Sequence, residues 1–398
     1  MTTALNSIAE HYDHLADRRD RFLEKNRYYY KLLYKQYRYL IPEGKKVLEV
    51  GCSTGGLLNE LKPSVGVGID VSGRSVEIAA RKYPQLRFEC CALKDFSCPD
   101  KFDFIVLSGL LGELDDIQLF LADLRPFCHA HTRIIVEYYS YLWQTILQFG
   151  EKAGLKIKQK IQNWLTYHDL CNFLTLTGYE PVKTERAILF PLQVWGLSYV
   201  INRFIAPLPV FNALTLNHIV IARPVFEFER EFSVTVLVPC RNEKGNIEQA
   251  ILRTPAFGLH QEFIFVEGGS QDGTYEEVER VIQRYPEKDI KLLKQTGKGK
   301  GDAVRLGFSR ASGEVLMILD ADLTVPPEDL PKFYDAIRHN RGEFINGCRL
   351  VYPMEKQAMR FLNLLANKFF GVFFSWLLGQ RFKDTLCGTK VLFKRDYE

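Results

Sequence analysis

The chain has 398 residues, of which 46% are hydrophobic and 25% are charged, and its formal net charge is +4 at pH 7. At roughly 100–200 residues per domain, this length predicts two domains. The charge is too close to zero to indicate a nucleic-acid partner. The nine cysteines include no CxxC pair, so no zinc or redox motif is indicated and a reduced, cytoplasmic compartment is expected. The first residues lack the basic-then-apolar order of a signal peptide.

The N-terminal segment, up to about Tyr39, is rich in charge and tyrosine. Its run RYYYKLLYKQYRYL resembles a nucleic-acid-binding sequence at first sight, but the apolar positions recur at helical spacing. We therefore predict an amphipathic helix that packs against the next domain, and no nucleic-acid partner.

From Lys45 onward, apolar runs alternate with helical stretches, which predicts a parallel sheet covered by helices on both faces. The strand-like runs are KKVLEV, VGVGIDV, LRFECC, FDFIVLS and TRIIVEYY, with helices around 74–82 and 116–125. The segment RPVFEFERE (223–231) interrupts this pattern with proline and charge. A second alternation follows with SVTVLVP, EFIFVE, DIKLLK and EVLMILDAD. We predict an α/β domain over 1–224, a linker at 225–231 and a second α/β domain over 232–398.

No stretch reaches the roughly 18 uncharged apolar residues of a membrane span. The most apolar segments are 369–379 and 187–221, the second of which Arg203 interrupts. We predict that both form core helices. The alternative is that they lie on a bilayer surface, which would make the protein peripheral at the inner face of a membrane.

The run VLEVGCSTGG places a glycine-rich turn between a buried strand and a helix. Glycines let the backbone approach a ligand, and a helix N-terminus offers free N–H groups. The next strand ends at Asp70, about 20 residues beyond Gly51, where an acid meets a ribose hydroxyl in dinucleotide-binding folds. These features suit an adenosine ligand. The preceding acid, Glu49, and the spacing of Gly51, Gly55 and Gly56 differ from the nicotinamide pattern GxGxxG.

EVGCSTG, GIDVS and FDFIVLSG are similar to the first, second and fourth motifs of class I methyltransferases, whose fold is Rossmann-like. The resemblance implies that Glu49, Gly51, Gly55 and Asp70 bind S-adenosylmethionine. It also implies that Tyr12, in the N-terminal segment, closes over this cofactor.

Two alternatives remain open for the first domain. GCSTG also fits the GxSxG nucleophile elbow of hydrolases, with Ser53 as the nucleophile in the same strand–turn–helix setting. Otherwise the methyltransferase fold is a non-catalytic binding or scaffold module. The methyl acceptor is not evident from the sequence, and Glu113, His168 and Asp169 are the polar candidates for contacting it.

Polar residues follow two apolar strands at the start of the second domain. VLVPCRNEKGNI contains Pro239 and Glu243, and FVEGGSQDGT contains Glu267 and Asp272. Open α/β sheets bind ligands at such strand ends. The three carboxylates are acceptors suited to the base and ribose of a nucleoside.

The next two motifs indicate a diphosphate and a metal ion. In KQTGKGKGDAVRLGF, Lys298 and Lys300 stand among glycines, an arrangement that suits a diphosphate. In MILDADLTV, an apolar strand ends in Asp320 and Asp322. Two carboxylates after a buried strand are costly unless a cation such as Mg²⁺ or Mn²⁺ neutralises them, and that cation then also neutralises a leaving diphosphate.

Together these motifs resemble the GT-A glycosyltransferases of family 2, and DTLCGTK (384–390) is similar to a segment of dolichyl-phosphate mannose and glucose synthases. The resemblance implies a nucleotide-sugar donor, a polyprenyl-phosphate acceptor and inversion at the anomeric carbon. It implies that Asp320 and Asp322 bind the metal and that Asp384 lies near the acceptor phosphate or the reacting carbon. Arg349 and Arg360 would meet an anionic acceptor. The residues implied to hold the donor are Pro239, Glu243, Glu267, Asp272, Lys298, Lys300 and Asp320.

The sequence therefore predicts a bifunctional transferase that uses S-adenosylmethionine in one domain and a nucleotide sugar with a divalent metal in the other. The glycosyl acceptor is either a lipid phosphate or a glycan. One alternative is a glycosyltransferase with a non-catalytic first domain, and another is a nucleotidyltransferase of similar topology. We expect the second domain to be incomplete, because the family continues with further helices beyond the DTLCGTK segment.

Overall fold

The computed structural model describes residues 3–154, 156–157, 163–186, 188–228, 230–348, 361–380, 382–384 and 387–398. The chain forms two compact units, one of Met1–Val225 with Leu378–Gln380 and one of Phe226–Leu377 with Arg381–Glu398. Each unit has its own sheet, so the predicted fold class of two α/β domains is confirmed.

The first unit is built on a seven-stranded sheet in the order β3-β2-β1-β4-β5-β7-β6. Its strands are β1 (Lys46–Val50), β2 (Val65–Asp70), β3 (Arg87–Cys90), β4 (Phe102–Ser108), β5 (Cys128–Tyr139), β6 (Tyr179–Arg186) and β7 (Asn217–Pro224). The predicted parallel arrangement is confirmed for β1 to β5. Strands β6 and β7 are additional to the predicted ones, and β7 runs antiparallel to both of its neighbours.

Two N-terminal helices precede this sheet, α1 (Thr3–Lys25) and α2 (Arg27–Leu40). Helix α2 buries Tyr29, Leu33 and Tyr37, which are four residues apart and therefore lie on one face. They pack in the same core cluster as Val47 of β1. The predicted amphipathic helix is confirmed.

Helices connect most of the strands that follow. They are α3 (Gly56–Glu60), α4 (Gly73–Lys82), α5 (Ile117–Asp123), α6 (Gln144–Lys152), α7 (Tyr167–Leu176), α8 (Leu197–Val200) and α9 (Pro209–Asn212). The prediction of a core helix across 187–221 is wrong, because the described residues of this stretch, 188–221, form only the short α8, a π-helical turn, α9 and the first part of β7. Pro207 and Pro209 prevent a continuous helix there, and Trp195 is 100% exposed.

The second unit has a six-stranded sheet in the order β10-β9-β8-β11-β13-β12. Its strands are β8 (Val234–Cys240), β9 (Gln261–Glu267), β10 (Asp289–Lys294), β11 (Val315–Ile318), β12 (Phe344–Asn346) and β13 (Lys390–Phe393). Strands β8 to β11 are parallel, whereas β13 is antiparallel to β11 and β12. Its helices are α10 (Ile247–Leu252), α11 (Thr274–Arg284), α12 (Lys300–Arg310), α13 (Leu330–Arg338), α14 (Phe361–Leu378) and α15 (Lys394–Tyr397).

Both faces of this second sheet are covered. Val236 and Val238 of β8 pack into one core cluster, and Leu237 between them packs into the other. Successive side chains of a strand point to opposite faces, so a strand buried on both sides is apolar at nearly every position. This explains the run VTVLV at the start of the unit, in which the one polar residue, Thr235, donates a hydrogen bond to Glu262.

Residues on both sides of the boundary between the two units pack within their own unit. Arg223 and Pro224 belong to β7, and the buried Arg223 guanidinium is paired with Glu180. In the second unit, Phe228 packs edge-on against Phe232. Phe228, within the segment 225–231 that was predicted as a linker, thus packs against the core of the second unit.

Helix α14 contains all but the last residue of the other apolar segment, 369–379. The prediction that it is a core helix is wrong, because Phe369 is 63% exposed and Val372 is 72% exposed. Within the described parts of the chain, no helix combines the length and the hydropathy required to cross a bilayer.

Candidate active sites

The turn after β1 brings the backbone into conformations that favour glycine. Gly51 and Gly55 have φ values of 77° and 75°, and Ser53 between them has a φ of 50°. A Cβ atom at Gly55 would lie 2.7 Å from the Phe88 ring. The turn therefore requires glycine at 55 for packing, and Ser53 occupies a left-handed backbone conformation that favours glycine.

Asp70, at the end of β2, holds this turn in place. Its carboxylate accepts hydrogen bonds from the backbone N–H of Ser53 at 2.8 Å and of Ser72 at 2.9 Å. Burial raises the pKa of Asp70, while these two N–H groups oppose the shift. Because β1 and β2 are adjacent and parallel, the turn and the acid meet at the same edge of the sheet.

Glu49 lies in β1, just before the turn, and is only 3% exposed. Burial raises its pKa to about 8, and its Oε2 atom has no hydrogen-bond partner among the described residues. Neither Glu49 nor Gly55 lies on the wall of the cavity described next. We infer that these two residues shape the turn, whereas Gly51, Ser53 and Asp70 face the ligand space.

A cavity of about 730 Å³ opens beside this turn in the first unit. It is wide enough for a drug-sized ligand, which typically needs roughly 300–1,000 Å³. Among the lining residues are Tyr12, Gly51, Asp70, Cys91, Glu113 and Glu137. The described lining residues include no histidine, so the general base that a hydrolase nucleophile elbow requires is missing from this wall.

Helix α1 supplies one wall of the cavity. The Tyr12 hydroxyl donates a hydrogen bond to the Glu113 carboxylate, and burial and Glu113 both raise the pKa of Tyr12. Arg19, which was not among the predicted site residues, also lines the cavity and lies 5.8 Å from the centre of the Tyr30 ring. No carboxylate among the described residues pairs with the Arg19 guanidinium. Its only signal in the sequence is its spacing of two helical turns from Tyr12.

Glu137 of β5 is a second residue that the sequence did not single out. It is 2% exposed and lines the cavity, with the Ser108 hydroxyl 3.4 Å and the Tyr29 hydroxyl 3.5 Å from its carboxylate. Burial raises its pKa to about 7. Within TRIIVEYY this acid breaks the apolar pattern of a buried strand, and that is a usable sequence signal.

The other predicted acceptor contacts fall elsewhere. Asp169 forms a capping box with Thr166 at the start of α7, which stabilises the helix. Neither His168 nor Asp169 lines the cavity. Of the three polar residues predicted to contact a methyl acceptor, only Glu113 lines the cavity.

In the second unit, the ends of β8 and β9 place three predicted carboxylates close together. Glu267 is 2% exposed; although burial raises its pKa, hydrogen bonds from Ser270 and Gly269 lower it overall. Glu243 accepts a hydrogen bond from Asn246 at 2.8 Å. Asp272 accepts hydrogen bonds from the backbone N–H groups of Lys244 at 3.2 Å and Thr274 at 3.0 Å.

These hydrogen bonds separate a carboxylate that holds a loop in shape from two carboxylates near the strand ends. Asp272 joins the loop after β8 to the start of α11, so it holds the loop in shape. The partly buried Glu243 and the buried Glu267 are the acids of this group at the strand ends themselves. Pro239, in β8, is partly buried beside them.

The aspartate pair follows β11, the strand beside β8. Asp320 is partly buried and its carboxylate contacts the Lys300 ammonium at the start of α12. Asp322 is exposed and accepts a hydrogen bond from the Thr324 N–H at 3.0 Å. Lys298, two residues before Lys300, is exposed. Lys300 therefore lies directly against the first of the two aspartates.

The segment around Asp384 lies next to Asp320. Asp384 is fully buried, and its Oδ1 atom accepts hydrogen bonds from the Asn367 amide at 2.7 Å and the Cys387 N–H at 3.0 Å. A Cβ atom at Gly388 would clash with the Asp320 carboxylate. The DTLCGTK segment thus packs directly against Asp320, the first of the two aspartates.

Lys390 is a third residue that was not predicted as part of a site. Its ammonium donates hydrogen bonds to Asn346 at 3.0 Å and to the Cys387 carbonyl at 2.7 Å. Burial lowers its pKa, and the cationic Lys300 lowers it further. Thr385 and Leu386, and the predicted acceptor contacts Arg349 and Arg360, lie outside the described residues.

The described residues contain no group of three or more histidine, cysteine or acidic side chains that could bind a metal by themselves. Mg²⁺ is commonly held by one or two carboxylates together with substrate phosphates. Asp320 and Asp322 supply two carboxylates at one strand end, with Lys300 beside them. The donor set therefore fits a cation that arrives with a diphosphate.

Comparison with known protein families assigns each unit separately. Residues 235–397 match the model of glycosyl transferase family 2. Residues 18–184 match the model described as a methyltransferase domain. Both family resemblances expected from the sequence motifs are confirmed.

Curated relatives match the second unit. A dolichol-phosphate mannosyltransferase of Pyrococcus furiosus is 36% identical over 137 residues, which are 34% of this chain and 38% of that protein. Another from Saccharomyces cerevisiae is 36% identical, covering 26% of this chain and 40% of its own. An undecaprenyl-phosphate 4-deoxy-4-formamido-L-arabinose transferase of Salmonella paratyphi A is 29% identical, and the match covers 34% of this chain and 43% of that protein. The chain therefore spans less than half the length of each of these relatives.

Solved structures align with the first unit at low sequence identity. A methyltransferase of Thermotoga maritima, described as a possible histamine N-methyltransferase, is 15% identical with a TM-score of 0.43 and covers 54% of this chain and 99% of its own. Magnesium protoporphyrin IX methyltransferase of Synechocystis, with bound S-adenosylhomocysteine, is 14% identical with a TM-score of 0.41. The match covers 56% of this chain and 99% of that protein.

Proposed function

Because this chain joins a methyltransferase domain to a family 2 glycosyltransferase domain, we propose that it catalyses two group transfers. The first unit transfers a methyl group from S-adenosylmethionine. The second transfers a sugar from a nucleoside diphosphate to a polyprenyl phosphate. The observation that carries the proposal is that each sheet presents its predicted acids at the carboxyl ends of adjacent parallel strands.

For sugar transfer, Glu243 and Glu267 accept hydrogen bonds from the nucleoside, and Lys300 lies against the diphosphate. Asp320 and Asp322 would hold Mg²⁺ or Mn²⁺, which when bound neutralises charge on the leaving nucleoside diphosphate. A phosphate acceptor is already anionic and needs little help from a general base. The names of the curated relatives support a polyprenyl-phosphate acceptor.

The aspartate pair provides the test for the second unit. We expect Asp322→Asn to reduce release of nucleoside diphosphate from a UDP- or GDP-sugar, in the presence of Mn²⁺ and a polyprenyl phosphate, by about 100-fold or more. Asp335→Asn, an exposed acid of α13, serves as the matched control. Undiminished release by both Asp320→Asn and Asp322→Asn would contradict the metal assignment. Release of pyrophosphate instead would identify a nucleotidyltransferase.

For methyl transfer, the cavity of the first unit has to hold both cofactor and acceptor. Gly51 and Ser53 bring the backbone close to the ligand, and Asp70 is positioned for the ribose hydroxyls. Arg19 places a cation on the wall that suits the carboxylate of the methionine moiety. The bound cofactor supplies an electrophilic methyl group, and the protein contributes mainly by positioning the acceptor in line with it.

Calorimetry tests the first unit. We expect S-adenosylmethionine to bind the parent chain and the Glu24→Gln control, whose exposed acid lies on the outer side of α1. Asp70→Asn should weaken binding by about tenfold, the cost of one good hydrogen bond. Equal affinity in all three chains would refute the assignment of Asp70. Binding without release of labelled methyl groups to glycolipid acceptors would favour the scaffold alternative.

A further inference from the structure

An unusually apolar surface lies on the first unit, in the segment 188–216, which we call the cap segment. Eleven of its large apolar side chains are more than two-fifths exposed, among them Trp195 at 100%, Phe204 at 62% and Val210 at 74%. Soluble monomers rarely expose so many neighbouring apolar side chains unless the surface binds something.

The charge of the cap segment is as distinctive as its hydropathy. Arg203 is its sole charged residue, and it is exposed. Within the described parts of the chain, Arg203 has no acidic partner. An apolar surface with an unpaired cation, an exposed tryptophan and an exposed tyrosine at 199 fits the boundary between lipid head groups and acyl chains.

Side chains satisfy polar backbone groups within the cap segment. Its regular helices are short, yet side chains satisfy polar groups between them. The Asn202 carbonyl oxygen accepts hydrogen bonds from the N–H groups of Leu189 and Phe190, both at 2.9 Å. The Ser198 hydroxyl accepts from the Val194 N–H at 2.7 Å and donates to the Leu192 carbonyl at 2.6 Å. Non-helical backbone needs such internal partners where lipid replaces water.

The cap segment also forms part of the cavity wall. Phe190 and Leu192 line the cavity, and Leu192 is itself 53% exposed. Across from them, Ile146 and Phe149 of α6 line the same cavity and are 58% and 72% exposed. The Trp143 indole N–H donates a hydrogen bond of 2.8 Å to the Leu214 carbonyl, which ties the start of α6 to the cap segment. Apolar surface therefore leads from the outside into the cavity.

We propose that the cap segment docks the first unit on an anionic bilayer, with the mouth of the cavity facing the lipid. This inference deepens the proposed methyl transfer, because an acceptor would then reach the cavity from the membrane and would be an amphiphile. The binding is peripheral: apolar side chains enter the head-group region and no segment crosses it.

Vesicle flotation of the full chain tests the proposal. We expect the chain to float with vesicles of phosphatidylcholine and phosphatidylglycerol, and less with phosphatidylcholine alone because Arg203 then lacks an anionic partner. The triple variant Trp195→Gln, Phe204→Gln and Val210→Gln should lower partitioning by about tenfold or more. The control pair Tyr39→Gln and Leu176→Gln removes side chains that are 76% and 60% exposed elsewhere on the first unit and should float as the parent does.

Two results would overturn the proposal. One is unchanged flotation of the triple variant, which would place membrane binding elsewhere in the chain. The other is a parent that does not float but forms a dimer that the triple variant loses, which would make the cap segment an interface between copies. Calorimetry with S-adenosylmethionine on the same proteins keeps the two proposals apart: retained binding shows that the variants are folded, and absence of binding in every chain would contradict methyl transfer without changing the flotation result.

Discussion

Replacing Glu49 by glutamine should change how the stability of the first unit depends on pH. Burial raises the pKa of Glu49 from its ordinary value of 4.5 to about 8. Between those values the folded state holds a proton that the unfolded state releases. The contribution of Glu49 to stability is therefore complete below about pH 4.5 and is lost as pH rises through about 8.

The magnitude follows from the linkage between protons and folding. One proton held only by the folded state lowers the free energy of unfolding by about 1.4 kcal/mol for each unit of rising pH. In a unit of this size that corresponds to about 3–6 °C of melting temperature per pH unit. Glutamine has no proton to lose, so Glu49→Gln should remove this slope and be the more stable chain at the alkaline end.

Other groups make the comparison between variants more informative than the parent curve alone. Burial also raises the pKa of Glu137, to about 7, which adds a slope of the same sign. His218 opposes it, because burial lowers its pKa to about 4 and the unfolded state then binds the extra proton. These contributions cancel when parent and Glu49→Gln are subtracted at each pH.

Thermal unfolding followed by fluorescence in a series of buffers measures the difference. Glu24→Gln, at an exposed position of α1, is the matched control and should follow the parent at every pH. A parent and a Glu49→Gln variant with the same slope would mean that Glu49 is ionised in the folded state. The buried Oε2 atom would then have a cationic or hydrogen-bonded partner, and the explanation by burial would be refuted.

Three further outcomes follow from other contacts. Arg19→Gln should weaken binding of S-adenosylmethionine measured by calorimetry by about tenfold, whereas adenosine, which lacks the carboxylate, should bind both chains equally. Gly388→Ala should abolish sugar transfer while the chain stays folded by circular dichroism, because the added methyl group displaces the Asp320 carboxylate; normal turnover would show that this approach is not needed. Glu262→Gln should cost about 2 kcal/mol in urea unfolding, because the buried Glu262 accepts hydrogen bonds from Thr235, Lys291 and Ser312; a loss below 0.5 kcal/mol or so would indicate that these bonds exchange freely with water.

Local sequence patterns were sufficient to locate the strands that carry the candidate sites. Runs such as FIFV in β9 and VLMIL before Asp320 are apolar throughout, and a strand covered on both faces buries every one of these side chains. The acids at the ends of β2, β9 and β11 were identifiable because a carboxylate next to a buried strand requires a specific partner. The alternation of elements likewise determined the fold class of both units.

The strands that complete each sheet were not evident. Strand β6, with its alternating polar sequence YEPVKTER, and the short β12 and β13 owe their conformation to pairing with neighbours that are distant in sequence. Local propensity does not include that pairing. The apolar segments 187–221 and 369–379 were misassigned for a related reason. Hydropathy indicates that side chains favour leaving water, but it does not distinguish burial in the protein core from an exposed apolar surface that binds something else.

Composition and spacing by themselves determined that this protein has two α/β domains with acids at their strand ends, because burial and backbone geometry act over a few residues. Only the tertiary structure showed that Arg19 and Glu137 share a cavity with Asp70, and that Gly388 lies against Asp320. These groups are separated by many tens of residues, so their approach depends on how the strands order within the sheet and on how the helices pack over it. The tertiary structure likewise showed that Ile188 and Leu216, at the two ends of the cap segment, join the core while most of the large apolar side chains between them stay exposed.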